Sequence, residues 1–153
     1  MMQTYKYPEG DIYEGDWSKE GKKHGIGKIT FTDGTMYEGR FVNGFFAGYG
    51  SLRLPDNTVY AGEFSDGLFH GFGVYLRFDG MQYEGEFKEG SPNGPGLVTF
   101  GNGSCGNPRM EGHFDGSVLK SRQSVKEYIR RAQVSRDRAL RTTVTNALKE
   151  AET

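Results

Sequence analysis

Four Gly-x-Gly pairs, Gly25/Gly27, Gly48/Gly50, Gly71/Gly73 and Gly94/Gly96, are the residues of this chain that most invite chemistry. Bare glycine backbone can cradle a phosphate when a strand leads into it and a helix leaves it. That setting is missing. No Gly-x-Gly-x-x-Gly lies between a parallel strand and a helix, and Gly-x-x-x-x-Gly-Lys-Ser/Thr does not occur. Metal chemistry fares no better: His24, His70 and His113 are scattered, Cys105 is the lone cysteine, and none has zinc-ligand spacing. His24 and His70 hold equivalent places in a repeat, which marks them as turn residues. Asp and Glu are plentiful, but they recur at repeat positions, whereas a catalytic pair would interrupt the repetition. No serine or cysteine has the neighbours of a nucleophile. The sequence is therefore read as that of a non-enzyme, with no catalytic residues, no cofactor and no metal.

What positions these residues is the repeat itself. Tyr13-Glu14-Gly15-Asp16-Trp17 returns as Tyr37-Glu38-Gly39-Arg40-Phe41, Tyr60-Ala61-Gly62-Glu63-Phe64 and Tyr83-Glu84-Gly85-Glu86-Phe87, the tyrosines 24, 23 and 23 residues apart. A weaker fifth copy reads Met110-Glu111-Gly112-His113-Phe114. After each full copy come a glycine (Gly21, Gly44, Gly67, Gly90), a Gly-x-Gly, a strand-like stretch and a turn at Asp33-Gly34, Asp56-Asn57, Asp79-Gly80 or Asn102-Gly103. Such pairs supply the positive φ that tight hairpins need.

Strand alternation puts Tyr, Gly and the second aromatic of each copy on one face and the residues between them on the other. Glycine inside a strand lets a neighbouring ring lie over its backbone. One face thus becomes aromatic, and sheet twist turns it into a groove. Tyr13, Trp17, Tyr37, Phe41, Tyr60, Phe64, Tyr83 and Phe87 are expected to line that groove and to grip a partner. The alternative is that the rings simply pack on one another and on the glycines. Glu14, Asp16, Glu38, Glu63 and Glu84, with Glu86, fall on the opposite face. They would draw in a ligand rich in Lys and Arg from the groove edges, or form a solvated face. In the third repeat Arg77 stands where the others have Phe31, Leu54 and Phe100. Val74, Leu76 and Phe78 then share a phase that is polar elsewhere, which predicts either a bulge or a second apolar contact surface.

These motifs resemble the MORN repeat, whose pattern is close to Tyr-x-Gly-x-Trp-x-x-Gly-x-x-His-Gly-x-Gly. His24-Gly25 and His70-Gly71 match it fully, Ala47 and Asn93 replace the histidine in the other copies, and Phe replaces Trp17 after the first. The likeness covers roughly residues 5–116. It implies a mainly β fold: a single-layer, twisted antiparallel sheet of stacked hairpins. The irregular segment 103–109, the fifth copy and a basic helix after it look like the small adaptors of that family that bind class III myosins. That likeness implies a protein partner, a segment of a class III myosin tail, held in the groove within photoreceptors and actin-rich cell projections.

Bulk properties agree with a thin sheet. The chain has 153 residues with 24 Gly, 9 Tyr and 11 Phe, and only 35% are hydrophobic, too few to fill a thick core. Residues 1–117 hold ten Lys and Arg against sixteen Asp and Glu, and residues 118–153 hold nine against four. Two parts are expected: an acidic repeat sheet over 1–117, with four full repeats and partial ends, and a basic helix and tail over 118–153. Residues 121–150 lack Gly and Pro, and Ser124-Val125-Lys126-Glu127 reads as a capping box. The helix is expected to cap the open end of the sheet. The alternatives are a basic face for a membrane or actin, and a tail that folds on binding.

Without a signal peptide or long apolar run, the chain is expected in the cytoplasm, and the resemblance implies that it associates with the cytoskeleton there. The leading functional reading is a monomeric, non-enzymatic adaptor that binds protein. The alternative is a membrane- or phosphoinositide-associated scaffold working through the basic helix. A third is an architectural array joined through its open strand edge. Nucleic acid is not an expected partner, because the aromatic face has little positive charge and the tail lacks interleaved aromatics.

Overall fold

The computed structural model describes residues 2–101 and 109–152. The expected turn at Asn102-Gly103 and the segment holding Cys105 lie outside the described residues. Among these residues, eleven strands follow one another in chain order across one open antiparallel sheet. They are β1 (Gln3–Lys6), β2 (Ile12–Trp17), β3 (Lys23–Thr30), β4 (Met36–Val42), β5 (Phe45–Arg53), β6 (Val59–Ser65), β7 (Leu68–Leu76), β8 (Gln82–Lys88), β9 (Ser91–Thr99), β10 (Met110–Asp115) and β11 (Val118–Arg122). Helices α1 (Lys126–Arg141) and α2 (Val144–Glu152) follow.

The repeat glycines pair with one another across every strand boundary from β2 to β10. Gly15 faces Gly27, Gly27 faces Gly39, and the row continues through Gly50, Gly62, Gly73, Gly85 and Gly96 to Gly112. Over this bare stripe lie the tyrosines. A methyl group on Gly73 would overlap the Tyr60 ring, and one on Gly27, Gly50 or Gly96 the ring of Tyr13, Tyr37 or Tyr83. Each phenol then donates to the carbonyl three residues on: Tyr13 to Asp16 (2.7 Å), Tyr37 to Arg40 (2.8 Å), Tyr60 to Glu63 (2.7 Å) and Tyr83 to Glu86 (2.9 Å). Those carbonyls are free because the register slips there, between Gly15 and Trp17 and at the three equivalent places. The bulge aims the carbonyl at the ring's hydroxyl.

Two turn types alternate. Asn43-Gly44, Asp66-Gly67 and Glu89-Gly90 have positive φ at both residues, the tight hairpin geometry that matches strand twist. Their glycine N–H groups donate to the preceding repeat, Gly44 to Lys23 O, Gly67 to Phe46 O and Gly90 to Phe69 O, at 2.8–2.9 Å. At the other edge, Asp33, Asp56 and Asp79 accept from the backbone N–H two residues on.

The C-terminal part departs from expectation in several ways. Val118–Arg122 pairs with β10, so the sheet runs past residue 117 and the helical part begins after Arg122. The helix is broken into two at Thr142-Thr143, where the Thr143 hydroxyl accepts the Asn146 N–H at 3.1 Å and so starts α2. No capping box forms: Val125 is the N-cap residue and has no side-chain cap. Glu111 supplies the acceptor from the sheet instead, its Oε2 taking the Val125 N–H at 2.7 Å. Finally, α1 does not close an end of the sheet. It lies across the face opposite the rings, over β5 to β9, and α2 carries on to β3.

Candidate partner-binding site

Two rows of rings lie on the aromatic face at different depths. The lower row is the one singled out from the repeat. Tyr13, Tyr37, Phe41, Tyr60, Phe64, Tyr83 and Phe87 are all buried, none more than 4% exposed, while Trp17 is half-buried. They run edge-to-face in a continuous zigzag. Tyr37 meets Phe41 at 5.1 Å within its repeat and Phe64 of the next at 5.1 Å, and Tyr60 does the same with Phe64 and Phe87 at 5.0 Å each. Tyr83 closes the series on Phe114 at 5.3 Å, which gives the weak fifth copy its purpose. These seven rings therefore form the core and cannot be the contact surface. Burial pushes the phenols of Tyr13, Tyr37, Tyr60 and Tyr83 far above the ordinary tyrosine range.

The surface a partner would touch belongs to the second strand of each hairpin. Phe46 stacks on Tyr37 at 3.8 Å and Phe69 on Tyr60 at 4.0 Å, and both stay half-buried. Between Phe69, Tyr75, Met81, Pro92, Phe100 and Met110 opens an apolar cavity of about 560 Å³, and a second of about 260 Å³ lies by Ile29, Phe31 and Phe46. The repeat carried a signal for this row: Lys23, Phe46, Phe69 and Pro92 recur every 23 residues. It went unread because glycine and tyrosine dominate the pattern.

The predicted acidic residues are elsewhere and mostly occupied. Glu14 is exposed on the back face, opposite the rings, and Asp16 stands at the first bulge. Glu63 accepts the Phe72 N–H at 2.6 Å. Glu84 is buried, only 6% exposed, and accepts from Gln133 Nε2 at 2.8 Å. Glu38 accepts the Val144 N–H at 2.8 Å. Glu38, Glu84 and Glu111, residues at the same repeat position, thus clamp the two helices, where the sequence suggested edges that draw in a basic ligand or a solvated face. The Val125 N–H holds the Glu111 carboxyl below its usual value, with help from Arg109.

The third-repeat anomaly resolves in favour of a back-face apolar patch. The β7–β8 pairing has no register shift. Val74 is buried, and Phe72 beside it stacks on Tyr128 of α1 at 6.1 Å, whereas Leu76 and Phe78 remain exposed. His24 takes up the turn role read for it: its Nδ1 accepts the Asn43 N–H at 3.2 Å, tying one hairpin to the next.

An open sheet of tandem hairpins, with a glycine stripe beneath stacked tyrosines, defines a β-hairpin repeat protein. The MORN repeat family model matches residues 13–36, 37–59, 60–82 and 83–105. The chain belongs to the MORN-repeat family. It is 58% identical over 129 residues to MORN repeat-containing protein 4 homolog of Drosophila melanogaster, an alignment covering 84% of this chain and 65% of that relative. The chain thus spans a little under two thirds of that relative's length.

Proposed function

We propose that this protein is a non-enzymatic adaptor that seats a segment of a partner polypeptide in the trough on its aromatic face. The observation that carries the reading is the half-buried row Phe46, Phe69, Pro92 and the 560 Å³ cavity beside Phe69 and Pro92. A single-layer sheet cannot bury both faces of itself, and here the tail covers only the other one. Exposed apolar surface of this kind marks interaction sites. The partner we assign is a class III myosin tail segment, on the resemblance drawn from the repeats, the fifth copy and the basic helix. The place of action would then be the cytoplasm of actin-rich projections, with the protein a monomer on its own.

The test is calorimetric titration of the full chain with class III myosin tail fragments. Binding at micromolar concentration is expected, and it should fall at least tenfold in Phe46→Ala/Phe69→Ala. Absence of heat with every fragment would end the myosin assignment.

A second reading has its own support. The exposed surface of α1 carries Lys126, Arg130, Arg131, Arg138 and Arg141 beside Val134 and Leu140, a mixture that suits an anionic membrane surface. No described helix is long and apolar enough to cross a membrane. Flotation with phosphatidylserine vesicles, compared between the protein and its Arg130→Glu/Arg131→Glu variant, separates the readings. Capture lost in that variant would favour membrane association.

A further inference from the structure

Among the described residues, these two cavities on the aromatic face are lined by two charged side chains, Lys23 and Arg77, and by no carboxylate. The two cations are in different states. Arg77 is already matched: its Nε and an Nη donate to the two Asp79 carboxylate oxygens at 2.8 and 2.7 Å. Lys23 has no ion-pair partner among the described residues. It stands in the row otherwise held by Phe46, Phe69 and Pro92, its ammonium 4.7 Å from the Tyr7 ring centre and 5.7 Å from that of Tyr13. Where the later repeats place a stacked ring, the first places a half-buried cation.

We infer that the trough is directional and selects an apolar segment that brings a carboxylate to Lys23. This rests on the adaptor reading. A polypeptide that covers the trough takes Lys23 out of water. Covered by apolar groups, the ammonium would be a buried, unmatched charge, and a basic segment would be repelled outright. An Asp or Glu turns that cost into a charge-assisted hydrogen bond. At the other end Arg77 asks for nothing, because Asp79 already satisfies it. The acidic residue of the partner therefore lies over β3 and its purely apolar part over β7 to β10. Six strand spacings separate Lys23 on β3 from Pro92 on β9, roughly 29 Å. That is about 9 residues of extended chain or about 19 of helix.

The test uses a phage-displayed library of random 20-residue peptides, selected on the full-length protein. The winners are then titrated against the wild type, Lys23→Glu, Lys23→Met and Phe69→Ala, each checked for an unchanged far-ultraviolet spectrum. Winners weakened by Phe69→Ala should carry Asp or Glu near one end. They should lose at least tenfold in affinity with Lys23→Glu and severalfold with Lys23→Met. Changing the peptide's acidic residue to Lys should restore binding to Lys23→Glu. Winners that depend on Phe69 but ignore both Lys23 variants would overturn the inference and leave the adaptor reading standing. Winners indifferent to Phe69→Ala, or no winners, would overturn both.

Discussion

Gly73 and Gly34 look alike in the sequence, yet the fold uses them for different reasons. Gly73 lies flat under the Tyr60 ring, whereas Gly34 has open space around it and a φ of +95°. Gly73→Ala should destabilise by about 2–3 kcal/mol, through overpacking against a fully buried ring. Gly34→Ala should cost about 1 kcal/mol, through backbone strain alone. Urea melts of the two variants would rank them. Tyr60→Phe removes the donor to the Glu63 carbonyl and should cost about 1 kcal/mol. The four tyrosines also set an alkaline limit. Each has a folded pKa raised above its ordinary 10.0, chiefly by burial. Above that pH the unfolded chain gives up phenolic protons that the native state keeps, so stability falls as pH rises. Denaturant midpoints should hold level from neutral pH up towards 10 and drop steeply beyond it.

At the level of elements, the tail is held by apolar packing, Val125 and Ile129 on Leu97 and Tyr128 on Phe72, and also by carboxylates. Glu111 begins α1, Glu84 grips its middle through Gln133, and Glu38 receives the start of α2. The third repeat breaks this series with Ala61, which is 3% exposed. There β6 faces α1 directly, and α1 turns Ala132, Ser135 and Ala139 inward. Ala61→Glu, which restores the residue of the other repeats, should lever α1 off the sheet, because a carboxylate would be buried with no donor to meet it. Limited proteolysis should then cut within residues 123–143, where the wild type should resist. The Glu111 contact adds an acid limit. Its folded pKa lies below the ordinary 4.5, so the stabilisation is present above that value and is lost as pH falls through the folded value. The N-terminal turn of α1 should loosen as pH falls below the ordinary 4.5 and through the lower folded value, visible as faster amide exchange at Val125.

Taken whole, the molecule is one layer with two unlike faces. The back carries the helices and the front carries the trough, so the tail leaves the trough open. Mutations should sort accordingly. Tyr60→Ala with Phe64→Ala removes two core rings, at about 3–5 kcal/mol each, and should unfold the sheet. Phe46→Ala with Phe69→Ala trims rings that are only half-buried and should leave a folded protein with an empty trough. Circular dichroism melts alongside the myosin-tail titration would test the contrast.

From residue order alone came the hairpin repeat, its 23-residue period, the glycine-under-ring logic and the single-layer sheet. All of these follow from alternation and from the φ requirements of short turns, which act over a few residues. Depth and sidedness belonged to the tertiary structure. The Tyr-x-Gly-x-aromatic rings were legible as a face but not as a floor, since they are buried by rings of neighbouring repeats and, over Tyr37 and Tyr60, by the stacked Phe46 and Phe69. The role of Glu38, Glu84 and Glu111 was equally hidden. Alternation says only that these carboxylates point away from the rings, and it took the path of α1 and α2, set by contacts up to 106 residues apart in the chain, to turn an apparently solvated face into a clamp.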